Sequence, residues 1–167
     1  MVSRATSDAV VDGILHTVPR WARFLGQELE QLDPPLSVRQ FLVLQRIEAG
    51  TSRTTELAKT VRVTSPTMTR VIDRLVEMGL VHRETDPDDR RAIRLALTPA
   101  GRRVLARHSK ELSARIRLVL DEAGATHDEL RAVDAACEIL GAALDIRRTK
   151  ETAAAKRSPD LSPQRVG

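Results

Sequence analysis

The chain has 167 residues, of which 41% are hydrophobic and 30% charged, and its formal net charge is +4. This length and balance suit one modest folded core and exclude a wholly disordered or collagen-like chain. No apolar run approaches the roughly 18 residues that a membrane span needs, and Asp8 and Asp12 stand where a signal peptide would be apolar. A soluble, cytoplasmic protein with no membrane partner is therefore predicted.

The charge is unevenly distributed along the sequence. Residues 50–103 carry a net charge of +4 between flanks of −1 and −3, and residues 147–167 carry a further +4. Arginine supplies 23 of the 27 basic side chains. Its guanidinium fork matches phosphate oxygens and guanine edges, so a polyanionic partner is one explanation. Solvated surface arginines are the other.

Apolar residues spaced three and four apart predict three helices in the first part of the chain. The first is long and covers residues 8–32, with a kink or a restart expected at Pro19. The second covers residues 36–49, with Ser37 as its N-cap. A short third helix is predicted over residues 54–61.

The fourth predicted helix has the clearest boundaries. Ser65 is the expected N-cap, Pro66 takes the first helical position, and Gly79 marks the end. At about 100° per residue its apolar side chains share one face. The nearly opposite face carries Thr67, Arg70 and Arg74.

After this helix the apolar period changes to two, which predicts a β-hairpin from residues 80–84 and 93–97 around an acidic turn. A fifth helix follows between Pro99 and Gly124. A sixth begins with a capping box at Thr126 and runs to residue 146.

This order of elements predicts a mainly α fold, a six-helix winged helix-turn-helix with a two-stranded β-hairpin as its wing. The apolar stripes of the terminal helices exceed what a small central domain can cover, which indicates dimerisation through both chain ends. The predicted parts are a dimerisation helix, a DNA-binding domain, two further dimerisation helices and a mobile basic tail. Their boundaries are 8–35, 36–98, 99–146 and 147–167.

In such a fold the second helix of the helix-turn-helix enters the major groove, and its N-terminal residues reach base edges. Arg70 can pair with guanine O6 and N7, Thr67 can offer its hydroxyl or methyl group, and Ser65 suits a phosphate. The alternative is that Arg70 and Arg74 lie on a solvated face, paired with acidic neighbours. Those neighbours would be Asp73 or Glu77.

Three segments resemble the MarR family of bacterial transcription regulators, namely SPTMTRVIDRLVEMGLV from Ser65, DPDDRR from Asp86 and IRLALTPAG from Ile93. The resemblance spans residues 8–146 and implies a homodimer with one recognition helix and one wing on each half-site. It implies that Asp89 and Arg91 occupy the family's wing positions, with Arg91 in the minor groove. The predicted double-stranded DNA contacts are Ser65, Thr67, Thr69, Arg70 and Arg74 on the helix and Asp89, Arg90 and Arg91 in the wing.

Family members typically respond to a small aromatic acid, a metal or an oxidant. Trp21, Arg39 and Phe41 are candidates to line a pocket for a small aromatic ligand, with ordinary core and surface roles as the alternative for each. Cys137 falls on the apolar stripe of the sixth helix and is expected to be buried and inert. The four histidines are scattered, so neither a metal site nor a cofactor is predicted.

The predicted function is a sequence-specific DNA-binding transcription regulator, a repressor by the family's common mode. Sequence motifs of hydrolases, metalloproteases and nucleotide-binding enzymes are missing, so an enzyme is not expected. Two binding functions stay open as alternatives. One is an architectural DNA binder without base preference, and the other is a winged-helix module that binds proteins.

Overall fold

The computed structural model describes residues 4–85 and 93–157. Six helices and one two-stranded sheet form from these residues, which confirms the predicted fold class. The chain divides into two compact units, residues 1–117 and 118–167. The elements are α1 (Arg4–Glu30), α2 (Val38–Glu48), α3 (Thr54–Val61), α4 (Ser65–Glu77), β1 (Val81–Thr85), β2 (Ile93–Leu97), α5 (Pro99–Glu122) and α6 (His127–Arg157). None of the helices in these ranges has an apolar stretch that could cross a bilayer.

The core of the first unit lies among α2, α3, α4 and the hairpin. Helix α4 contributes Met68, Ile72 and Leu75, whose spacing of four and three places them on one face of the helix. All three side chains are at most 1% exposed. Because this face is buried, the other face of α4 is left to the solvent. The side chains buried with them include Val43, Leu44, Leu57, Val81 and Leu97.

The hairpin is attached to the core by its base. Strands β1 and β2 are antiparallel, with Val81 opposite Leu97 and Thr85 opposite Ile93. The amide of Leu95 donates to the carbonyl of Ser52 at 2.8 Å, so β2 is also tied to the segment before α3. The hairpin is therefore joined to the segment before α3 by a main-chain hydrogen bond as well as by apolar contacts in the core.

Thr98 joins the hairpin to α5 and to the end of α4. Its amide donates to the Leu80 carbonyl at 3.0 Å, and its hydroxyl donates to the Gly79 carbonyl at 2.7 Å. The same hydroxyl accepts from the amide of Gly101 at 2.9 Å, which caps α5. Gly101 is buried, and a Cβ there would overlap the Leu80 carbonyl oxygen.

Three side chains of α5 hold the connection between α1 and α2. Arg107 donates to the carbonyl of Asp33, and Arg115 forms an ion pair with Glu28 on α1. The fully buried His108 contacts the carbonyl oxygen of Pro34 through Nε2 at 2.9 Å. The C-terminal end of α1 and the segment that follows it are thereby attached to α5.

Helix α1 is continuous through Pro19, so of the predicted kink or restart, the restart is wrong. Proline removes one backbone donor and leaves one carbonyl without its partner. Pro19 and Leu15, whose carbonyl loses that partner, are both exposed, and water can satisfy the carbonyl. The cost is small enough for the helix to continue.

Helix α6 extends beyond its predicted end at residue 146, so residues 147–157 are helical rather than part of a mobile tail. No apolar stripe marks this stretch, but local interactions support it. Arg147 pairs with Glu151 at 2.8 Å, and Thr149 donates to the carbonyl of Asp145. Alanines at 153–155 add high helix propensity. Residues 158–167, the rest of the predicted tail, lie outside the described residues.

Cys137 on α6 is exposed, contrary to the prediction of a buried thiol. The apolar stripe that carries it was assigned correctly as one helix face, but within this single chain the stripe is solvent-accessible. Val133 and Leu144, which share this stripe, are 51% and 58% exposed. Periodicity predicts which side chains share a face and does not predict what covers that face.

We expect Gly101→Ala to lower the free energy of unfolding by about 3 kcal/mol, because α5 or Leu80 would have to move to admit a Cβ. Gly13→Ala in α1 is the matched control. No atom lies within 4 Å of its added Cβ, and better helix propensity should raise stability by up to about 1 kcal/mol. Urea unfolding monitored by circular dichroism measures both. A Gly101→Ala variant with the same urea midpoint as the wild-type chain would show that α5 can move to admit the Cβ without loss of stability.

Candidate nucleic-acid interface

Helix α4 begins one residue earlier than its sequence suggests, because Thr64 is the N-cap and Ser65 is already helical. The Thr64 hydroxyl accepts from the Thr67 amide at 3.4 Å and lies 2.9 Å from the Thr67 hydroxyl. Pro66 then occupies the second helical position, where its missing amide hydrogen is still not needed. The predicted N-cap at Ser65 is therefore wrong by one residue.

The residues predicted to contact DNA from α4 lie away from its buried face. Ser65, Thr69, Arg70 and Arg74 are exposed and Thr67 is half-buried. The hydroxyl of Thr69 donates to the Ser65 carbonyl at 3.0 Å, which orients its oxygen at the first turn. These five residues are therefore accessible on the surface of α4 outside its buried face, and we call the surface that they form the outer face.

The arginines of the outer face differ in their ion pairs. Arg74 pairs with Glu77 at 3.0 Å, and both side chains are more than 60% exposed. Asp73 pairs with neither Arg70 nor Arg74 but with Arg83 on β1. Within residues 4–85 and 93–157 no acidic group is found paired with Arg70. Its guanidinium is thus available to a ligand, whereas that of Arg74 fits the alternative of a solvated pair.

The hairpin carries a second polar cluster on the sheet face that points away from the core. Glu84 lies opposite Arg94 in the ladder, and Arg94 Nε donates to its carboxylate at 2.7 Å. This hydrogen bond is the main cause of the lowered pKa of Glu84, and a weaker one joins the carboxylate to His82 at 3.3 Å. The predicted wing residues Asp89, Arg90 and Arg91 lie outside the described residues.

The three candidates for a ligand pocket have different environments. Trp21 is half-buried and packs edge-on against Phe24, with ring centroids 5.5 Å apart. Phe41 belongs to the core at 9% exposure, whereas Arg39 is exposed. In the part of the chain that the structure describes, no hydrogen bond or ring contact joins the three.

The order of the elements defines the class of protein. Helices α3 and α4 are connected by a tight turn in which Arg62 adopts a left-handed conformation, with φ of 56°. An antiparallel hairpin follows α4 directly. A helix-turn-helix followed by such a hairpin is a winged helix-turn-helix.

Comparison with known proteins finds relatives in sequence and in structure. Residues 36–93 match the MarR family. An uncharacterized HTH-type transcriptional regulator, YpoP of Bacillus subtilis, is 39% identical over 77 residues, which are 46% of this chain and 55% of that protein. The multiple antibiotic resistance protein MarR of Salmonella typhimurium is 38% identical over 80 residues, which are 47% and 54% of the two chains. This chain therefore spans about half the length of the curated relatives it matches.

The similarity in three dimensions covers more of the chain. The solved structure of the Multiple Antibiotic Resistance Repressor, MarR, superposes with a TM-score of 0.65 at 25% identity. The superposition covers 84% of this chain and 96% of that one. Residues 36–93 thus match the MarR family in sequence, and the fold over 84% of this chain is similar to that of a solved MarR structure.

Sequence patterns did not identify two features of this region. Thr64 was overlooked because two adjacent hydroxyl residues precede Pro66, and the preference of proline for the first helical position favoured Ser65. Arg83 was overlooked because its partner, Asp73, lies ten residues away on another element. The alternation of β1 could have indicated that Arg83 shares a sheet face with the buried Val81.

We expect Thr64→Ala to lower the free energy of unfolding by about 1 kcal/mol, because the first turn of α4 loses its side-chain cap. Ser65→Ala is the control, since no side-chain hydrogen bond of Ser65 caps the helix, and its stability should be unchanged. Chemical denaturation of both variants decides between the two caps. A loss at Ser65 as large as that at Thr64 would contradict the assignment.

Proposed function

We propose that this protein is a transcription regulator that binds double-stranded DNA with sequence specificity. The observation that carries the proposal is the outer face of α4, where Arg70 is exposed and unpaired among the described residues. The opposite face of α4 is held by Met68, Ile72 and Leu75 in the core. An α-helix anchored on one side, with a cationic and hydroxyl-rich other side, suits the major groove.

In this proposal each part of the site has a separate role. Arg70 reads a guanine through O6 and N7, and Thr67 and Thr69 contact neighbouring bases. Ser65 contacts a phosphate at the start of α4, where backbone amides favour an anion. Arg74 strengthens the positive potential near the groove. Asp89, Arg90 and Arg91 are proposed as the minor-groove contacts of the wing, by resemblance to the family.

A homodimer is the second part of the proposal, and it is supported by exposed apolar side chains on the terminal helices. On α1, Val10, Leu15 and Val18 are between 52% and 64% exposed. On the apolar stripe of α6, Val133 and Leu144 are 51% and 58% exposed. Such stripes are typical of surfaces that another chain covers. A two-fold dimer would bind a pseudo-palindrome with half-site centres about 10 bp apart.

Repression and release are the finer parts of the proposal. Repression rests on the family resemblance and on the name of the solved relative, a repressor. Release by a small aromatic ligand rests on Trp21, since Phe41 is used in the core. Trp21 is the single tryptophan of the chain, so quenching of its fluorescence by benzoate would test binding near it. Unchanged fluorescence together with unchanged DNA affinity would remove the ligand from the proposal.

Selection of bound duplexes from a random library by the full chain, at near-physiological salt, tests the proposed function. Enrichment of a palindrome with half-sites about 10 bp apart supports a base-reading dimer. Binding without enrichment would favour the architectural alternative, because reading a base should cost about 1 to 3 kcal/mol per mismatched pair. No binding to any duplex would overturn the proposal and favour the protein-binding module.

We expect Arg70→Ala to relax base preference at one symmetric pair of operator positions, with a loss of about 1 to 3 kcal/mol of discrimination per site. Arg131→Ala on α6 is the control, because it removes the same charge from another exposed arginine. Competition titrations with single-base operator variants measure both. An equal loss on all sequences would instead make Arg70 a phosphate contact.

We expect Leu144→Asp to produce a monomer, because it places a charge on the apolar stripe of α6 that the proposed dimer would bury. Glu138→Gln, on another side of α6, should leave the dimer intact. Light scattering during size-exclusion chromatography gives the mass of each variant. A monomeric wild-type chain, or a dimer that survives Leu144→Asp, would contradict this interface.

A further inference from the structure

Among the residues that the structure describes, one ion pair joins α4 to the hairpin. Arg83 Nη2 donates to Asp73 Oδ1 at 2.6 Å, a short, charge-assisted hydrogen bond. Arg83 is on β1 and Asp73 is on α4, and their side chains are 43% and 47% exposed. The pair thus lies at the edge of the core, where it is accessible to solvent but positioned by two fixed elements.

The register of the hairpin explains why Arg83 reaches α4. Arg83 lies opposite Leu95 in the ladder, and Val81 lies opposite Leu97. Because alternate residues of a strand share a face, Arg83 is on the same sheet face as these three apolar side chains. All three are buried in the core to which α4 contributes. Arg83 extends this face one step toward the tip, beyond the last buried position of β1.

The position of Asp73 makes the pair relevant to the proposed function. Asp73 lies between the buried Ile72 and the outer-face residue Arg74, so it borders the surface that would meet DNA. An unpaired carboxylate there would repel phosphates. In the structure its charge is compensated by Arg83, which at the same time connects the helix to the strand.

We propose that Asp73 and Arg83 are positioning residues that fix the angle between α4 and β1, so that the recognition helix and the wing meet DNA as one rigid surface. This inference rests on the proposed function. Neither side chain needs to contact a base. Their effect on recognition is indirect, through the orientation of the elements that carry the contacts.

The proposal predicts the opposite sign from a direct charge effect. If Asp73 acted only as a negative charge near phosphates, Asp73→Ala would strengthen DNA binding and leave Arg83 available as an additional cation. If the pair sets the angle, Asp73→Ala weakens binding although it removes a negative charge. We expect operator affinity to fall by about twofold to fivefold for each protomer whose wing contacts DNA, which is the range for the loss of an exposed ion pair.

The test is a double-mutant cycle on the operator recovered by selection. Asp73→Ala, Arg83→Ala and the double variant are titrated with the operator and with random duplex. We expect both single variants to lose more affinity for the operator than for random duplex. The double variant should lose no more operator affinity than the single variant that binds the operator more weakly. Additive losses, or tighter binding by Asp73→Ala, would overturn the positioning role.

Glu77→Ala is the matched control, because Glu77 is also an acid of α4 but its partner, Arg74, is on the same helix. Removing Glu77 breaks an ion pair but leaves the contact between α4 and the hairpin intact. Operator affinity should therefore equal or exceed that of the wild-type chain. Thermal unfolding verifies that all variants are folded, as expected for exposed positions. A loss at Glu77 equal to that at Asp73 would count against the proposal.

Amide hydrogen exchange of the chain without DNA separates this inference from the proposed function. We expect faster exchange at β1 and β2 in Asp73→Ala and unchanged exchange in Glu77→Ala, because only the first releases the hairpin. Faster exchange together with a wild-type chain that binds no duplex would refute the proposed function and, with it, the role in recognition. Unchanged exchange in Asp73→Ala would refute the positioning pair even if the wild-type chain reads an operator.

Discussion

The contact between Thr98 and the backbone of Gly79 and Leu80 determines the arrangement of the other elements of the first unit. One residue there uses its amide, its hydroxyl proton and its hydroxyl oxygen in three hydrogen bonds. The end of α4, the start of β1, the end of β2 and the start of α5 all lie within reach of it. The lack of a side chain at Gly101 lets α5 pack directly on the Leu80 carbonyl. This junction holds the base of the hairpin against the start of α5, and the Asp73–Arg83 pair joins α4 to the hairpin farther from that base.

Local features of the fold could be predicted from the sequence because their partners lie only three or four residues apart. Ser37 caps α2 and the capping box at Thr126 forms as expected, and α3 has its predicted bounds. The predicted end of α6 was too early, because the last turns of this helix are supported by Arg147 and by alanines rather than by an apolar stripe. A pattern based on burial cannot detect a helix that buries little.

The rest of the site depends on contacts between distant residues, which no local pattern encodes. His108 reaches Pro34 across 74 positions, and Asp73 reaches Arg83 across ten. The composition of the outer face of α4 was visible in the sequence, but the distribution of ion pairs on it was not. Counting charges would treat Asp73 as a defect in a DNA-binding surface, whereas the structure makes it part of the support of the hairpin.

The exposed stripe of α6 has a consequence for how stability should be measured. A helix that leaves Val133, Ile139, Leu144 and Ile146 more than half exposed gains little from packing within its own chain. Isolated helices are marginal in water, so in the proposed homodimer α6 takes most of its stability from association. The melting temperature of that dimer depends on protein concentration, because association favours the folded state by mass action. A dilute sample and a concentrated one would report different values for the same sequence.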